Sequence, residues 1–544
     1  MPKIVKKYIF VVGGVMSGVG KGVAVSSIAK ILQSRGFNVT AVKIDPYVNV
    51  DAGTMNPTEH GEVFVLEDGM ECDQDMGNYE RFLNCDLPSA NYMTTGSVYW
   101  SVINRERNLG YDGQCVEVVP HIPLEVLNRI DKALVKNKSE IVIVEIGGTV
   151  GEYQNILFLE AVRMLKIKKP DDVLLALVSY LPLQGEGNEL KTKPTQYAVR
   201  TLNSAGLQPD IVIARARIRL DKKRKNKIAF NCNIAEENVV SAPDVENIYD
   251  VPLNFEKDKL SDVILKKLKL KSGKRNLGDW QKLAKIIGNA KKTVKIGIVG
   301  KYFATGDFVL SDAYISVIEA IKHASYFFGR KPTIEWLNAE IFEKEKSKLK
   351  TLDDYDGIIV PGGFGSRGVE GKIAAIRYCR ENKIPFFGLC YGMQLAVVEF
   401  SRSVLGLKKA NTAEIDPKTP YPVIDILPEQ KQKIAKGDYG GTMRLGACPA
   451  EIKKGTIAYG AYKSFLITER HRHRYEVNRE YIGALEKRGL VFSGFSPDRK
   501  LMEILELQRN LHPFFVATQF HPEFKSRPLD PHPLFKEFIK AAIS

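Results

Sequence analysis

The run from Tyr8 to Gly22, YIFVVGGVMSGVGKG, constrains the fold more than any other stretch, because an apolar strand breaks into glycines, meets a lysine and leads into a helical pattern. Glycines let consecutive backbone N–H groups turn toward one anion, the helix presents its positive end, and Lys21 adds a point charge for outer phosphates. The run predicts a nucleotide phosphate cradle in a strand–loop–helix unit. It departs from the standard pattern twice, with Val15 where a glycine is usual and Gly22 where a Ser or Thr hydroxyl would hold Mg²⁺. A metal used here needs carboxylates from elsewhere in the chain. The plainer alternative is a glycine-rich turn beside a solvated lysine.

Downstream, Val23 to Gln33 carries apolar residues at helical spacing, and Asn38 to Ile44 reads as a second strand with Lys43 near its end. Apolar runs at Glu140 to Thr149, Asp172 to Leu181 and Asp210 to Ala214 are of the kind that fill a parallel sheet covered on both faces. The fold class expected is α/β, with a doubly wound, P-loop-like N-terminal domain whose ligands gather beyond the carboxyl ends of the strands, where Lys21, Lys43 and Glu145 fall. Apolar periodicity fades between Lys271 and Thr293, a lysine-rich stretch with a short amphipathic helix over Trp280 to Ile287, and restarts at Val294. With 544 residues, more than one core organises, the chain divides into 1–270, a basic linker 271–293, and a second doubly wound domain 294–544.

In that second domain, Ser311 to Ala324 reads as a helix, Gly357 to Val360 as a strand running into Pro361-Gly362-Gly363-Phe364-Gly365, and Phe386 to Leu389 as a strand that meets a helix through Gly388-Leu389-Cys390-Tyr391-Gly392. G-x-C-x-G is a nucleophile elbow with cysteine in place of serine. A helix starting behind Cys390 favours a thiolate. Near the C-terminus a strand from Phe514 to Phe520 ends in His521-Pro522-Glu523, so His521 can take the thiol proton while Glu523 fixes its ring. Donors for an oxyanion come from the Gly362-Gly363 turn and the N–H of Tyr391. Each piece alone has a bland reading; in this order within one domain they point to thiol-dependent acyl chemistry.

The net charge of +15 raises nucleic acid, membranes and small polyanions as partners, but much of it is local, in Lys222 to Lys227 and in the stretch from Lys266 to Lys295, and reads as solvated charge. No nucleic-acid motif accompanies it, and no apolar run is long enough to span a bilayer, so neither nucleic acid nor membrane is expected and the protein reads as cytoplasmic. Seven cysteines without a C-x-x-C pair suit reduced thiols. In His471-Arg472-His473-Arg474, alternation along a strand weakens both a metal and a nucleic-acid reading.

The second half resembles the class I (triad) glutamine amidotransferase domain. The segments Ser17 to Gly22, Lys43 to Met55, His60 to Val65, Glu145 to Gly151 and Lys191 to Gln196 are similar to the signature segments of the CTP synthase family, in the family's order over essentially the whole chain. The resemblance implies a ligase in which ATP phosphorylates the 4-oxygen of UTP and ammonia, freed from L-glutamine through a thioester at Cys390 and carried through the protein interior, displaces the phosphate. It implies catalytic Cys390, His521, Glu523, Lys21 and Lys43, with Mg²⁺ on Asp75 and Glu145. ATP is assigned to Gly18, Val19, Gly20, Lys21, Gly22, Val23, Asp75, Pro243, Asp244 and Val245. UTP or inhibitory CTP is assigned to Ser17, Glu152, Tyr153, Gln154, Lys191, Thr192, Lys193, Pro194, Thr195, Gln196 and Lys227. Glutamine falls to Gly363, Tyr391, Gly392, Met393, Gln394, Glu414 and Arg474, with Tyr391 making the pocket rim bulkier than the family's usual leucine. Feedback by CTP, activation by GTP and a homotetramer also follow from the resemblance. Competing readings are an amidoligase of the cobyrinic-acid or dethiobiotin type, which would act on carboxylates, and a partitioning-type ATPase, which would leave the cysteine elbow without a role.

Overall fold

The structure is a computed structural model that describes residues 6–184, 189–271, 273–300, 311–426 and 443–544. Contacts divide the chain into two compact units, Met1–Ala52 with Asp75–Ala284, and Gly53–Gln74 with Lys285–Ser544.

In the first unit the apolar runs become β1 (Lys7–Gly14), β2 (Val39–Asp45), β3 (Tyr92–Thr94), β4 (Ile141–Thr149), β5 (Val173–Tyr180), β6 (Ile211–Ala216) and β7 (Val239–Pro243). They pair in the order β7-β6-β5-β1-β4-β2-β3, every pairing parallel. Parallel strands need crossovers, and helices such as Lys21–Gln33 and Ile156–Lys168 supply them, covering faces whose residues are buried almost without break. Because the strands share one direction, the glycine loop after β1 and the ends of β2 and β4 meet at the same edge of the sheet.

The lysine-rich stretch ends in a helix, Gly278–Asn289. Its Trp280 is buried, donates from Nε1 to the Tyr249 carbonyl at 2.7 Å and packs on the Phe82 ring at 5.2 Å, with the Lys30 ammonium 5.0 Å from its centroid. One aromatic anchor therefore seats the start of the amphipathic helix expected over Trp280 to Ile287 in the first unit. The lysines around it remain at the surface, several paired locally, as Lys269 with Asp171 and Lys282 with Asp279.

The second unit carries β8 (Lys292–Gly300), β9 (Arg330–Asn338), β10 (Gly357–Val360), β11 (Phe386–Leu389), β12 (Arg444–Ile452), β13 (Leu466–His473), β14 (Val491–Phe495), β15 (Met502–Glu506) and β16 (Phe515–Thr518), in the order β9-β8-β10-β11-β16-β15-β14-β12-β13. Strands β9, β8, β10, β11 and β16 are parallel; β15, β14, β12 and β13 add antiparallel pairings. The sheet is thus mixed, because short reversals rather than helical crossovers join several of its last strands. After β8 the chain makes a 3₁₀ turn, Ser311–Tyr314, before the helix Ile315–Phe327. Gly53–Gln74 makes its contacts in this unit. Its antiparallel hairpin (Val63–Val65 with Glu71–Asp73) packs Phe64 on Phe524 and pairs Glu67 with Arg470 and Glu71 with Arg472.

Trp280→Ala removes a buried ring and leaves the Tyr249 carbonyl without its donor, so we expect a loss of about 3–5 kcal/mol by urea unfolding followed at the first unit. A variant as stable as the parent would show that the helix is not anchored there.

Candidate functional site

Three segments of the second unit leave adjacent parallel strands on the same side: the Pro361–Gly363 turn after β10, Cys390 after β11, and His521 shortly after β16. Cys390 stands between strand and helix at φ 50, ψ −96, a conformation L residues rarely hold, and its N–H donates to the Thr518 carbonyl at 2.6 Å. The elbow's glycines serve packing and not backbone conformation. Neither takes a positive φ; a Cβ on Gly388 would lie 2.8 Å from the Ala517 side chain, and one on Gly392 would lie 2.2 Å from the Val360 carbonyl oxygen. They allow close packing of the helix on the sheet, and the strain falls on the cysteine.

The buried His521 ring bonds the Glu523 carboxylate through Nδ1 at 2.7 Å. Burial disfavours its charged form, but Glu523 and then Cys390 outweigh that, lifting its pKa from the ordinary 6.5 to about 10. A Cβ on Gly362 would be 2.9 Å from His521 Cε1 and 3.8 Å from Cys390 Cβ, so the bare α-carbon there lets the turn pass close to both. Cys390 is near enough to raise the imidazole pKa, while His521 Nε2 is buried without a hydrogen-bond partner and the thiol's own contact is with the Arg472 carbonyl, 3.8 Å away.

A cavity of about 730 Å³ opens on Cys390 and His521, and Gly363, Gln394, Glu414 and Arg474 are on its wall. Gln394 donates to the Tyr475 carbonyl at 3.0 Å and keeps its buried Oε1 without a hydrogen-bond partner, a ready acceptor for an N–H group. Glu414 accepts from the Gly365 N–H at 2.8 Å. Three of the residues expected around glutamine are elsewhere. Met393 is in the core, Gly392 is pressed on β10, and Tyr391 is buried, with its hydroxyl donating to the Gly365 carbonyl at 2.9 Å and the Lys372 ammonium 5.2 Å from its ring. Tyr391 therefore braces the glycine turn from behind instead of enlarging the pocket rim. Gln519, which sequence reasoning missed, points Nε2 at the Cys390 sulfur, 3.7 Å away. Its signal was its place two residues before His521, on the same face of an extended run.

Alternation along β13 separates the pairs only in part. Arg472, His473 and Arg474 all line the cavity, while His471 does not; His471 and His473 share one parity and touch, Nδ1 to Nε2 at 2.9 Å. Burial, and then Arg444, holds both histidines well below their ordinary pKa. Arg444 in turn pairs with Glu503 at 2.7 Å and Glu476 at 3.4 Å, so these histidines belong to a buried ionic network. No group of three or more metal-ligating side chains suited to an ion occurs among the described residues.

In the first unit the loop after β1 bends at Val15, Gly18 and Gly20, with φ of 80, 68 and 86. Val15 thus adopts the left-handed backbone of the glycine it replaces. Ser17 and Gly18 are exposed at the mouth, while Lys21 turns back over Gly13 to donate to the Gly148 carbonyl at 2.8 Å. Burial lowers the Lys21 pKa, opposed by Glu145, Asp75 and Glu152. Gly22 is explained by Asp75: a Cβ at position 22 would lie 2.0 Å from its Oδ1. Lys43 bonds Asp75 and, at 3.0 Å, Glu145, which also accepts from the Tyr79 hydroxyl. Asp45, 3.6 Å from Lys43, is raised to about 6 by burial, and Glu145 is raised by burial and then by Asp75. Two convergent carboxylates beside a phosphate cradle, one disfavoured in its charged form by the other, fit a hard divalent cation, which would relieve that repulsion.

The remaining expected nucleotide residues divide. Glu152 places Oε2 2.6 Å from where a Gly148 Cβ would be and accepts from Gln154 at 2.9 Å, while Tyr153 is exposed. Thr192 and Pro194 start the helix Lys193–Ser204, whose positive end faces outward, and Gln196 donates to the Thr192 hydroxyl at 3.1 Å. Thr195 is buried and accepts from Ser179 at 2.8 Å, which pins this helix to β5. Lys191 pairs with Glu189 at 2.6 Å, and Lys227, exposed on the helix Lys222–Asn231, adds to the field that lowers Glu189. Asp244 follows Pro243 at the end of β7 and pairs at 3.5 Å with Arg215. Arg215, also missed, lays its guanidinium over Gly20, 2.8 Å from a hypothetical Cβ; a charged residue ending an apolar strand was the signal.

A cysteine beside a carboxylate-paired imidazole on one unit, and on the other a phosphate cradle with buried carboxylates, fit one class: a glutamine-dependent, nucleotide-using ligase. The family model described as CTP synthase N-terminus matches residues 7–270, and that described as glutamine amidotransferase class-I matches 309–541. Curated proteins named CTP synthase from Caldanaerobacter subterraneus subsp. tengcongensis (50% identity, 99% of this chain and 98% of that one) and Pyrococcus furiosus (51%, 98% of each) are similar throughout. A solved structure titled "Trypanosoma brucei CTPS - glutaminase domain with bound acivicin" is 40% identical over 46% of this chain and 94% of that one, with a TM-score of 0.43. The chain belongs to the CTP synthase family: it is a glutamine-hydrolysing carbon–nitrogen ligase that converts UTP to CTP with ATP as co-substrate.

Because the His521 proton is held more tightly in the folded state, its ion pair contributes stability that is complete below pH 6.5 and fades as the pH rises through about 10. Glu523→Gln removes the larger favourable influence. Histidine side-chain NMR should then find the His521 midpoint moved down toward its ordinary range, with glutaminase kcat falling at least tenfold. An unmoved midpoint would remove Glu523 from the triad.

Proposed function

We propose that Cys390 attacks the side-chain amide of glutamine, with His521 carrying the thiol proton to the departing ammonia and Glu523 fixing the ring. Water then hydrolyses the thioester with His521 as base. Backbone donors at Gly363 and Tyr391 stabilise the tetrahedral oxyanion, and Gly363, Gln394, Glu414 and Arg474 orient glutamine through its amide, ammonium and carboxylate groups. What supports this is the Nδ1–Glu523 bond of 2.7 Å and a cavity wall that brings those four residues to the thiol.

In the first unit ATP lies along Gly18 to Val23, with Pro243, Asp244 and Val245 beside its base. UTP lies toward Ser17, Lys191, Thr192, Lys193, Gln196 and Lys227. Lys21 leaves the Gly148 carbonyl for phosphate oxygens, and Lys43 neutralises charge on the moving phosphoryl group. Asp75 and Glu145 would hold Mg²⁺, which would supply charge neutralisation for the transfer. Phosphorylating the 4-oxygen of UTP turns a poor leaving group into a good one, and ammonia from Cys390 displaces it. The observation that carries this reading is the Asp75 carboxylate, seated where any side chain at position 22 would project.

Product CTP inhibits by sharing the triphosphate region, with its base near Glu152, Tyr153 and Gln154; the Glu152 charge is already felt by Lys21. GTP activates the glutaminase step. A homotetramer buries apolar surface such as Trp100 and Ile103, which the helix Thr95–Arg107 leaves exposed. No described helix is long and apolar enough to cross a membrane.

Two variants separate the half-reactions when UTP-to-CTP absorbance is followed with glutamine and with added ammonia. Cys390→Ala should abolish synthesis from glutamine and spare synthesis from ammonia; Lys21→Ala should lower both at least 100-fold. Loss of both activities in folded Cys390→Ala, or strong synthesis in Lys21→Ala, would contradict the assignment.

A further inference from the structure

The Phe524 ring stacks on one face of the His521 ring, centroids 5.0 Å apart and planes within 17°. Phe524 is itself held edge-on by Phe64, at 5.0 Å and 63°, and Phe64 comes from the hairpin more than 450 residues earlier in the chain. Arg470 completes the stack, with its guanidinium carbon 5.4 Å from the Phe64 centroid. The same arginine joins hairpin and histidine through its polar groups: its side chain bonds Glu67 at 3.0 Å and the Val65 carbonyl at 3.1 Å, while its own carbonyl accepts from the His521 N–H at 2.8 Å. Phe64, Phe524 and Arg470 are all buried, so the column excludes water and leaves little lateral freedom.

We propose that Phe64 is a positioning residue for glutamine hydrolysis: seated by Arg470, it clamps Phe524 against His521 and holds the imidazole in line with the Cys390 sulfur. The triad alone leaves that ring one polar tether, the Glu523 bond, about which it can rotate. A stacked face with a rigid backing removes that rotation, and misplacement of a reacting group by 1 Å costs as much as about 100-fold in rate. Glutamine does not reach Phe64, which is fully buried behind Phe524, so the effect belongs in kcat and not in KM. The proposal rests on His521 being the base of the thiol reaction.

The test is Phe64→Ala and Phe64→Leu in the full-length enzyme, with His521→Asn in parallel, measuring glutaminase kcat and KM and ammonia-dependent CTP formation. Phe64→Ala should lower glutaminase kcat at least tenfold with glutamine KM within twofold and ammonia-dependent synthesis within twofold. Phe64→Leu, which refills the space behind Phe524, should recover most of the lost kcat. If Phe64→Ala does not fold, Phe524→Leu, which removes the stacked ring and leaves the Glu67 and Glu71 pairs of the hairpin in place, carries the same expectation for kcat and for ammonia-dependent synthesis. A kcat within threefold of the parent, an equal fall in ammonia-dependent synthesis, or no recovery with leucine overturns the proposal. Retained glutaminase activity in His521→Asn instead overturns the reading of His521 on which it rests.

Discussion

The carboxylate of Asp75 occupies the space beside Gly22 that a side chain would need, and the rest of the first unit's polar interior follows from that contact. A Ser or Thr at position 22 would displace it, so hydroxyl and carboxylate are mutually exclusive answers to the same demand for a hard oxygen near a phosphate cradle. Once Asp75 is there, buried negative charge accumulates with Glu145 and Asp45, and Lys43 must lie among them. Such groups are tolerated in a core only when paired, and removing one partner of a buried pair costs about 3–5 kcal/mol. The cluster is poised: Lys43 is held by carboxylates, Lys21 by a carbonyl, and both have partners that a polyphosphate and a cation can exchange for better ones.

The second unit meets a different constraint with the same sheet logic. Its strands bring turn, thiol and imidazole out side by side, and the strain of exposing sulfur is concentrated on the Cys390 backbone. Behind that edge the interior is unusually ionic. Arg444, Glu476, Glu503, His471 and His473 form a buried network that fixes β12, β13 and β15 to one another, and β13 then carries Arg472 and Arg474 toward the cavity. The hairpin excursion from Gly53 to Gln74 is bound by the same strand, through Glu67–Arg470 and Glu71–Arg472. The same strand thus seats the hairpin with one pair of side chains and carries arginines to the cavity of this unit.

Much of this was legible in the sequence, where local pattern decides the outcome. The glycine run, Lys21, the cysteine elbow and His-x-Glu are short motifs whose geometry is set by adjacent residues, and the structure places each at a strand end. Departures from pattern were informative too, since the missing hydroxyl at Gly22 asked for a carboxylate and Asp75 is there. What was not legible depends on contacts distant in the chain. Nothing in Gly53–Gln74 announces that its hairpin packs with the second unit, because its partners Arg470, Arg472 and Phe524 are some 400 residues away. Thr195, Tyr391 and Met393 match binding segments in order but are turned inward, since a motif fixes sequence position and packing decides which side of the backbone faces the ligand. Trp280 shows the reverse case, a single aromatic in a polar stretch that anchors its helix.

The central claim is that the Asp75 carboxylate, admitted by the bare α-carbon of residue 22, organises the ATP-dependent step. Gly22→Ala inserts one methyl group into that space and changes nothing else in composition. The most direct test measures ammonia-dependent CTP formation in this variant together with the rate at which Cys390 is alkylated. The account predicts at least a 100-fold loss of synthesis with an unchanged alkylation rate; synthesis at the parent rate would contradict it.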